Sequence, residues 1–400
     1  QRGDDAVRQL INHVAGTLTL IIGSLTAVAM VFSPAIIFIF APGFHDDAVR
    51  FDLAADMLRI TFPYLLLISL TAFAGGILNT YGRFGASSFT PVLLNLTMIA
   101  CAIWLAPLLT TPIMALAWGV LIAGIVQLGF QWLPLRQINL VPRFKPNFKD
   151  PDVKRILTLM LPAMFGVSVS QINLLLDTIL ASFLVAGSVS WLYTAERLTE
   201  LPLGLIGIAV ATVILPTLST KHAEKSDAEF RATIDWALKV IFMVGVPASL
   251  AMGILAEPLL ASLFHHGQFD RTDVVKSAMA LQALSGGILA FMLVKVFAPA
   301  FYARQDIKTP VRIGIIAMVA NMVFNLMLVG HLEHVGLSLA STLSAFLNAG
   351  LLYWGLHKRG VFRLKAHWWK LGARYLVANS AMVGVLLMVT PATSWWLTQG

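Results

Sequence analysis

Glu196, Arg197 and Glu200 lie in the first third of residues 188–220, SVSWLYTAERLTELPLGLIGIAVATVILPTLST, a run otherwise apolar enough to cross a bilayer. A charge near the middle of a membrane costs from about 3 kcal/mol on insertion scales to over about 10 in simulations, so such residues normally face a bundle interior or a watery cavity. On a helix, Tyr193, Glu196, Arg197, Glu200 and Gly204 share one face, while Leu192, Leu198, Leu203 and Ile206 make the opposite one apolar. The chemistry open to the polar face is anion binding. A guanidinium presents a planar fork of donors that suits phosphate, and both carboxylates fall within its reach. The competing reading is a structural ion pair near the membrane surface, where long charged side chains reach out to water.

A second set of residues suits a cation. Asp177 sits mid-span in QINLLLDTIL, Asn321 and Asn325 stand at i and i+4 of another span, and Ser341 and Thr342 lie on the next. Carboxylate, amide and hydroxyl oxygens together suit a hard monovalent cation, although the same side chains also join helices by ordinary hydrogen bonds. Lys295, inside a span ending at Tyr302 and Ala303, either supplies further cavity charge or snorkels. Arg83 and Arg304 occupy matching ends of two spans, where they either guide an anionic headgroup or anchor the chain at the membrane surface. His265-His266 in FHHGQFD reads as a loop pair, not a catalytic or metal site.

The elements that carry these residues follow from composition. Of 400 residues, 58% are hydrophobic and only 12% charged, with a mean hydropathy of +0.80; a soluble chain carries about twice that charge. The chain therefore reads as an all-α, multi-pass membrane protein, since helices satisfy their own backbone hydrogen bonds in lipid and no strand alternation is present. Eleven spans are expected, at 12–40, 58–79, 87–108, 113–135, 153–184, 188–219, 232–263, 275–302, 310–330, 336–357 and 370–390. Internal prolines, Pro63, Pro91, Pro162, Pro202, Pro247 and Pro299 among them, predict bends. Cys101 is the single cysteine, which excludes an intrachain disulfide.

If the spans alternate from a cytoplasmic start, 21 of the 28 Lys and Arg residues fall in cytoplasmic loops and four in the opposite ones. That is a strong positive-inside signal, so the net charge of +8 reflects topology and contact with anionic lipid and gives no reason to invoke nucleic acid.

The chain also repeats itself. Tyr81-Gly82-Arg83 and Tyr302-Ala303-Arg304 are 221 residues apart, and the same offset pairs Ala115 with Gly336 and Gln127 with Asn348. Spans one to four thus recur as spans seven to ten in the same orientation, the pattern of a transporter with two parallel lobes. The domains read as residues 1–150, the last four helices of an N-terminal lobe; 151–360, a six-helix C-terminal lobe; and 361–400, an additional helix that offers a wall for a lipid-tail groove. Spans five and six have no counterpart ahead of residue 12, so two helices and about 70 residues are expected to precede Gln1.

The strings LRITFPYLLLIS (58–69), ILNTYGRF (77–84), LPAMFGVSVSQIN (161–173), GSVSWLYTAERLTELPLG (187–204), VKVFAP (294–299) and FYARQDIKTPV (301–311) resemble the MurJ (MviN) lipid II flippases, a branch of the MOP exporter superfamily. The resemblance spans essentially the whole chain. It implies a MATE-like two-lobe bundle in the bacterial cytoplasmic (inner) membrane, a transporter and not an enzyme, that exports lipid II, the undecaprenyl-pyrophosphate-linked disaccharide pentapeptide of peptidoglycan and cell-wall synthesis. In that family the matching arginine and acidic residues line the cavity, which carries Arg197, Glu196 and Glu200 over as substrate-binding residues. No cofactor is implied; a monovalent cation, or membrane potential alone, drives transport, and the transporter is expected to be monomeric. The other readings are an exporter of drugs or of another lipid-linked oligosaccharide, and a membrane-embedded glycan-processing enzyme. The short outer loops, without a clustered acid and base, oppose the last.

Overall fold

The computed structural model describes residues 4–364 and 367–391; the side chains at 4, 159, 161–170, 208 and 367 lie outside that description. Every regular element among the described residues is helical. Two compact units divide the chain, residues 1–168 and 169–400, and each is taken by itself.

The first unit opens with α1 (Asp4–Val31) and α2 (Ser33–Phe40), so the single span expected at 12–40 is broken at Phe32, just ahead of Pro34. Proline cannot continue the hydrogen-bond ladder, and the residue before it resists the helical well. The same reasoning explains the junction of α3 (Ala48–Thr61) and α4 (Pro63–Thr80). The unit continues with α5 (Phe84–Ala100), which runs into a π-helical turn at Cys101–Leu105, and α6 (Met114–Gln137). Its buried core is small, built on Ile11, Ala74, Ile77, Leu78, Leu135 and Leu140. Large apolar side chains on its outer surface stay exposed, as a lipid-facing surface requires.

Helix α7 (Pro151–Ser182) leads into the second unit, where α8 (Ser188–Pro202), a π-helical stretch at Leu203–Ile208 and α9 (Ala209–Ala223) form one continuous run. Pro202 has no amide to donate back to the Leu198 carbonyl, and the backbone widens directly after it. There follow α10 (Asp227–Ile254), α11 (Ala256–Phe264), α12 (Arg271–Ser285), α13 (Ile288–Tyr302), α14 (Lys308–Lys358) and α15 (His367–Val389). Two devices fix the start of α8 and α12. Gly187 takes φ +103°, leaving room for the Trp191 ring where a side chain would collide. Trp191 Nε1 in turn donates to Asp273 Oδ1 at 2.6 Å, and Asp273 belongs to the capping box with Asp270 that opens α12.

Helix α14 is two spans. The backbone leaves the helical region at Glu333 (φ 50°, ψ −131°), between the spans expected at 310–330 and 336–357. Nine stretches among the described residues, α14 counted as one, are long and apolar enough to cross a membrane. Gly336 makes the reversal possible: a Cβ there would lie 2.7 Å from the Leu328 carbonyl oxygen, backbone that cannot swing aside. Gly336→Ala is therefore expected to destabilise the protein by about 1–3 kcal/mol, read as a lower Tm in detergent, whereas Gly330→Ala, which meets nothing within 4 Å, should leave Tm unchanged or slightly raised.

Candidate functional site

The α8 face holds Arg197 more firmly than its spacing alone suggested. Nε and Nη2 both donate to the Tyr193 hydroxyl, at 2.9 and 2.7 Å, and Nη1 donates to Glu200 Oε2 at 3.3 Å. The guanidinium also lies over the Tyr193 ring, 4.9 Å from its centroid. Arg197 and Glu200 side chains are 58% and 67% exposed within the unit, so this is not a buried ion pair. Three of five N–H groups are engaged among the described residues, which leaves two for a ligand. One expectation is corrected: Arg197 reaches Glu200 and not both carboxylates. Glu200 is at i+3, stacked beside it, whereas Glu196 is its chain neighbour and is turned about 100° around the helix. Among the described residues Glu196 makes no hydrogen bond to Arg197 but lies within electrostatic range of Asp177 on α7 and of Glu200 and Arg197 on its own helix.

Lys295 on α13 comes to the same run. A Cβ at Gly207 would lie 3.1 Å from Lys295 Cδ, so the lysine stem crosses the π-helical stretch at a residue without a side chain. Gly204, one turn nearer to Glu200, has nothing within 4 Å and leaves the face open. Lys295 and the Glu200 end of α8 thus flank a bare glycine segment.

The expected cation ligands do assemble. Asn325 Nδ2 donates to Asp177 Oδ1 at 2.6 Å and to Asn321 Oδ1 at 3.1 Å, and Asn321 Nδ2 reaches Ser341 Oγ at 3.4 Å. Asn321 and Asn325 are buried, and Asn325 Oδ1 has no partner. Thr342 is not part of this cluster, because its hydroxyl donates to the Ala283 carbonyl at 2.7 Å on the neighbouring α12. No group of three or more His, Cys, Asp or Glu side chains able to hold a metal occurs among the described residues.

Arg83 and Arg304 are both exposed but differently engaged: Arg83 Nη1 meets Gln137 Oε1 at 3.4 Å, while Arg304 lies over the Phe230 ring at 5.9 Å. Within the second unit, Arg304 does not join the Arg197 constellation. The sequence reading missed two arrangements. One is the role of Tyr193 as the hydroxyl that fixes Arg197, although its i−4 position was visible. The other is an uncharged network in the first unit, where Gln127 Nε2 donates to the Thr90 carbonyl at 3.0 Å, Gln131 Nε2 to Thr90 Oγ1 at 2.9 Å, and Tyr64 Oη to Gln127 Oε1 at 3.3 Å. Glutamines 127 and 131 at i and i+4 in an apolar helix were its signal.

Three comparisons bear on this geometry. The sequence model of the family described as "Lipid II flippase MurJ" matches residues 1–399. A protein of Vibrio cholerae named "Probable lipid II flippase MurJ" is 47% identical over 98% of this chain and 76% of its own length. A Burkholderia cenocepacia "Lipid II flippase MurJ" is 39% identical over 96% of this chain and 76% of its own. Among solved structures, one titled "Lipid II flippase MurJ, inward closed conformation" superposes with a TM-score of 0.83 at 24% identity, covering 100% of this chain and 82% of that one. An inward-facing multidrug resistance MATE transporter of the MOP superfamily gives 0.68 at 17% identity, covering 95% of this chain and 82% of that one. These structures are alike in fold.

The turn that carries Arg304 is clasped from below. Asp306, in the loop between α13 and α14, accepts from Thr309 N at 3.1 Å and Thr309 Oγ1 at 2.7 Å, and from Arg359 Nη1, whose Nη2 donates to Thr309 Oγ1 at 2.8 Å. The Thr309 hydroxyl first, then Arg359, lower the Asp306 carboxyl to about 2. A depressed carboxyl pKa contributes stability that is present above the unfolded value near 3.8 and lost as pH falls towards about 2. Asp306→Asn should cost about 1 kcal/mol, unchanged between pH 5 and 8, falling below about pH 4 and vanishing only below about pH 2, as measured by Tm against pH.

Proposed function

Because the chain belongs to the MurJ family of lipid II flippases, it is a membrane transporter and not an enzyme, and we propose that Arg197 is the cation that receives the pyrophosphate of its substrate. The protein flips lipid II, the lipid-linked precursor of peptidoglycan. The finer reading is movement from the inner to the outer leaflet of the bacterial cytoplasmic membrane by alternating access, performed by a monomer. The drug-exporter and glycan-enzyme readings are set aside with the family assignment.

The observation that carries the proposal is the state of the guanidinium. It is exposed, oriented by Tyr193, and balanced by one carboxylate through a single hydrogen bond at 3.3 Å. An exposed pair of this kind is worth about 0–1 kcal/mol, so an arriving pyrophosphate displaces Glu200 at little cost while the Tyr193 hydroxyl keeps the fork aimed. Lys295, across the bare Gly204 segment, supplies a second positive charge for a substrate with at least two phosphate charges. Arg83 and Arg304 then serve as outlying guides for the headgroup.

For the driving force, the Asp177, Asn321, Asn325 and Ser341 cluster is the proposed monovalent-cation site. Its support is Asn325 Oδ1, an oxygen already desolvated and without a hydrogen-bond partner among the described residues. Binding there requires the 2.6 Å bond from Asn325 to Asp177 to give way to the ion. Membrane potential alone needs no such exchange.

Two measurements test these proposals in the full-length protein. Arg197→Ala should leave abundance and Tm near those of the parent, because the pair is exposed, while lowering outward exposure of the lipid II headgroup by at least about tenfold. Arg197→Lys should recover only part of the loss, since an ammonium keeps the charge without the fork. A collapse of Arg197→Ala abundance would return the residue to a structural role. Separately, Asp177→Asn should remove any dependence of headgroup export on sodium or another monovalent cation in a normally inserted protein; retained ion dependence would leave the potential as the driving force.

A further inference from the structure

We propose that the first unit carries a binding site for an anionic phospholipid, with the headgroup phosphate on Arg8, Arg136 and Arg143 and one acyl chain along the exposed face of α6. These three arginines line a cleft of about 630 Å³ together with Asn12, Asn139 and Trp132, and no acidic side chain lines it. All three are exposed, and their guanidinium groups make no ion pair among the described residues. The flippase reading uses none of them, so the inference does not rest on it.

The cleft is built and not an accident of loose loops. Its floor is the core of the unit, with Ile11, Leu135 and Leu140 9%, 2% and 6% exposed. Asn139 turns the chain back after α6 with φ 56°, and Leu140 N donates to the Leu135 carbonyl at 3.0 Å. Arg143 N donates to Asn12 Oδ1 at 2.7 Å, tying the returning segment to α1. Arg8, one turn before Asn12, Arg136 in the last turn of α6 and Arg143 are thereby held on three sides of one space.

The α6 surface says what enters it. Trp118, Ile122, Ile125, Gly129, Trp132 and Arg136 recur at helical spacing along one stripe, with the four large apolar side chains 41%, 37%, 58% and 52% exposed. Gly129 interrupts them with open space within 4 Å of where its Cβ would be. From Ile122 to Arg136 the stripe runs about 21 Å, longer than one leaflet's share of a hydrocarbon core about 30 Å thick. An apolar track that ends on a tryptophan and then on arginines has the shape of a phospholipid, tryptophan lying at the headgroup level. The positive-inside bias places this end at the cytoplasmic leaflet, where anionic lipids concentrate. A zwitterionic headgroup would bring its own ammonium against three guanidinium groups, so the site selects a lipid with net negative charge.

The test is native mass spectrometry of the full-length protein in detergent, titrated separately with dioleoyl phosphatidylglycerol, dioleoyl phosphatidylcholine, inorganic phosphate and undecaprenyl pyrophosphate. The parent protein should retain phosphatidylglycerol at least about tenfold more tightly than phosphatidylcholine, and the Arg8→Gln, Arg136→Gln, Arg143→Gln triple variant should lose that preference at an unchanged lipid-free Tm. Gly129→Leu, which fills the track without touching charge, should weaken the dioleoyl lipid and spare a dihexanoyl one, and it serves alone if the triple variant fails to fold. Equal retention of the two phospholipids, or a triple variant that behaves as the parent, overturns the proposal. Inorganic phosphate displacing the lipid at equal concentration would make this a site for free phosphate, and undecaprenyl pyrophosphate displacing it through the same arginines would make it a substrate entrance; either result overturns the assignment to a resident phospholipid.

Discussion

Within a bilayer there is no water to complete a polar group, so each polar side chain that enters an apolar span must be satisfied by its own unit or by a ligand. Among the described residues that constraint is met differently from place to place, and some buried polar atoms, Gln131 Oε1 and Asn325 Oδ1 among them, have no hydrogen-bond partner. In the first unit, amides and hydroxyls close on one another through Tyr64, Thr90, Gln127 and Gln131. In the second, Asp235 on α10 accepts from Trp368 Nε1 at 2.6 Å and pairs with Lys239 at 2.7 Å, which docks α15. The α8 face is different. Arg197 is oriented but under-used, with two donors and more than half its side-chain surface left open.

That difference separates structural charge from functional charge more sharply than depth in the membrane does. Asp235 is 8% exposed, and removing a partner would strand a buried carboxylate. Arg197 loses little if Glu200 leaves, so its conformation is set by Tyr193, a neutral partner that does not compete with an anion for charge. A binding residue needs that combination: fixed direction without neutralisation. The π-helical stretch after Pro202 adds a second feature, since Gly204 and Gly207 in it carry no side chain and Lys295 can lie across one of them.

Much of this was legible in the sequence, and the boundary of legibility is physical. Span positions follow from the length of apolar runs, so the reversal near Glu333 shows as the polar HLEH at 331–334 between two such runs. The face carrying Tyr193, Arg197 and Glu200 follows from helical period alone. That Asn321 and Asn325 come together was legible, because amides at i and i+4 share a side of the helix, and Asp177 joins them. Choice of partner was not legible. Thr342 and Ser341 are adjacent, yet one bonds Ala283 and the other faces Asn321, because a step of one residue turns about 100° and exchanges neighbours. Contacts such as Trp368 to Asp235, 133 residues apart, leave no local pattern at all.

Both units carry amides inside their spans, and among the described residues the cluster of the second also holds a carboxylate, Asp177. A network of amides and hydroxyls is neutral and complete once its hydrogen bonds are made. Asp177 is not in that position: its bonded partners, Asn325 and Ser341, are neutral donors, and a charge within its range is that of Glu196, another carboxylate. Hydrogen bonds from neutral groups satisfy lone pairs without cancelling net charge, and in a medium of low dielectric constant the uncancelled charge dominates the energy. A bound cation would cancel that charge, which is the physical reason the cluster is proposed as a monovalent-cation site.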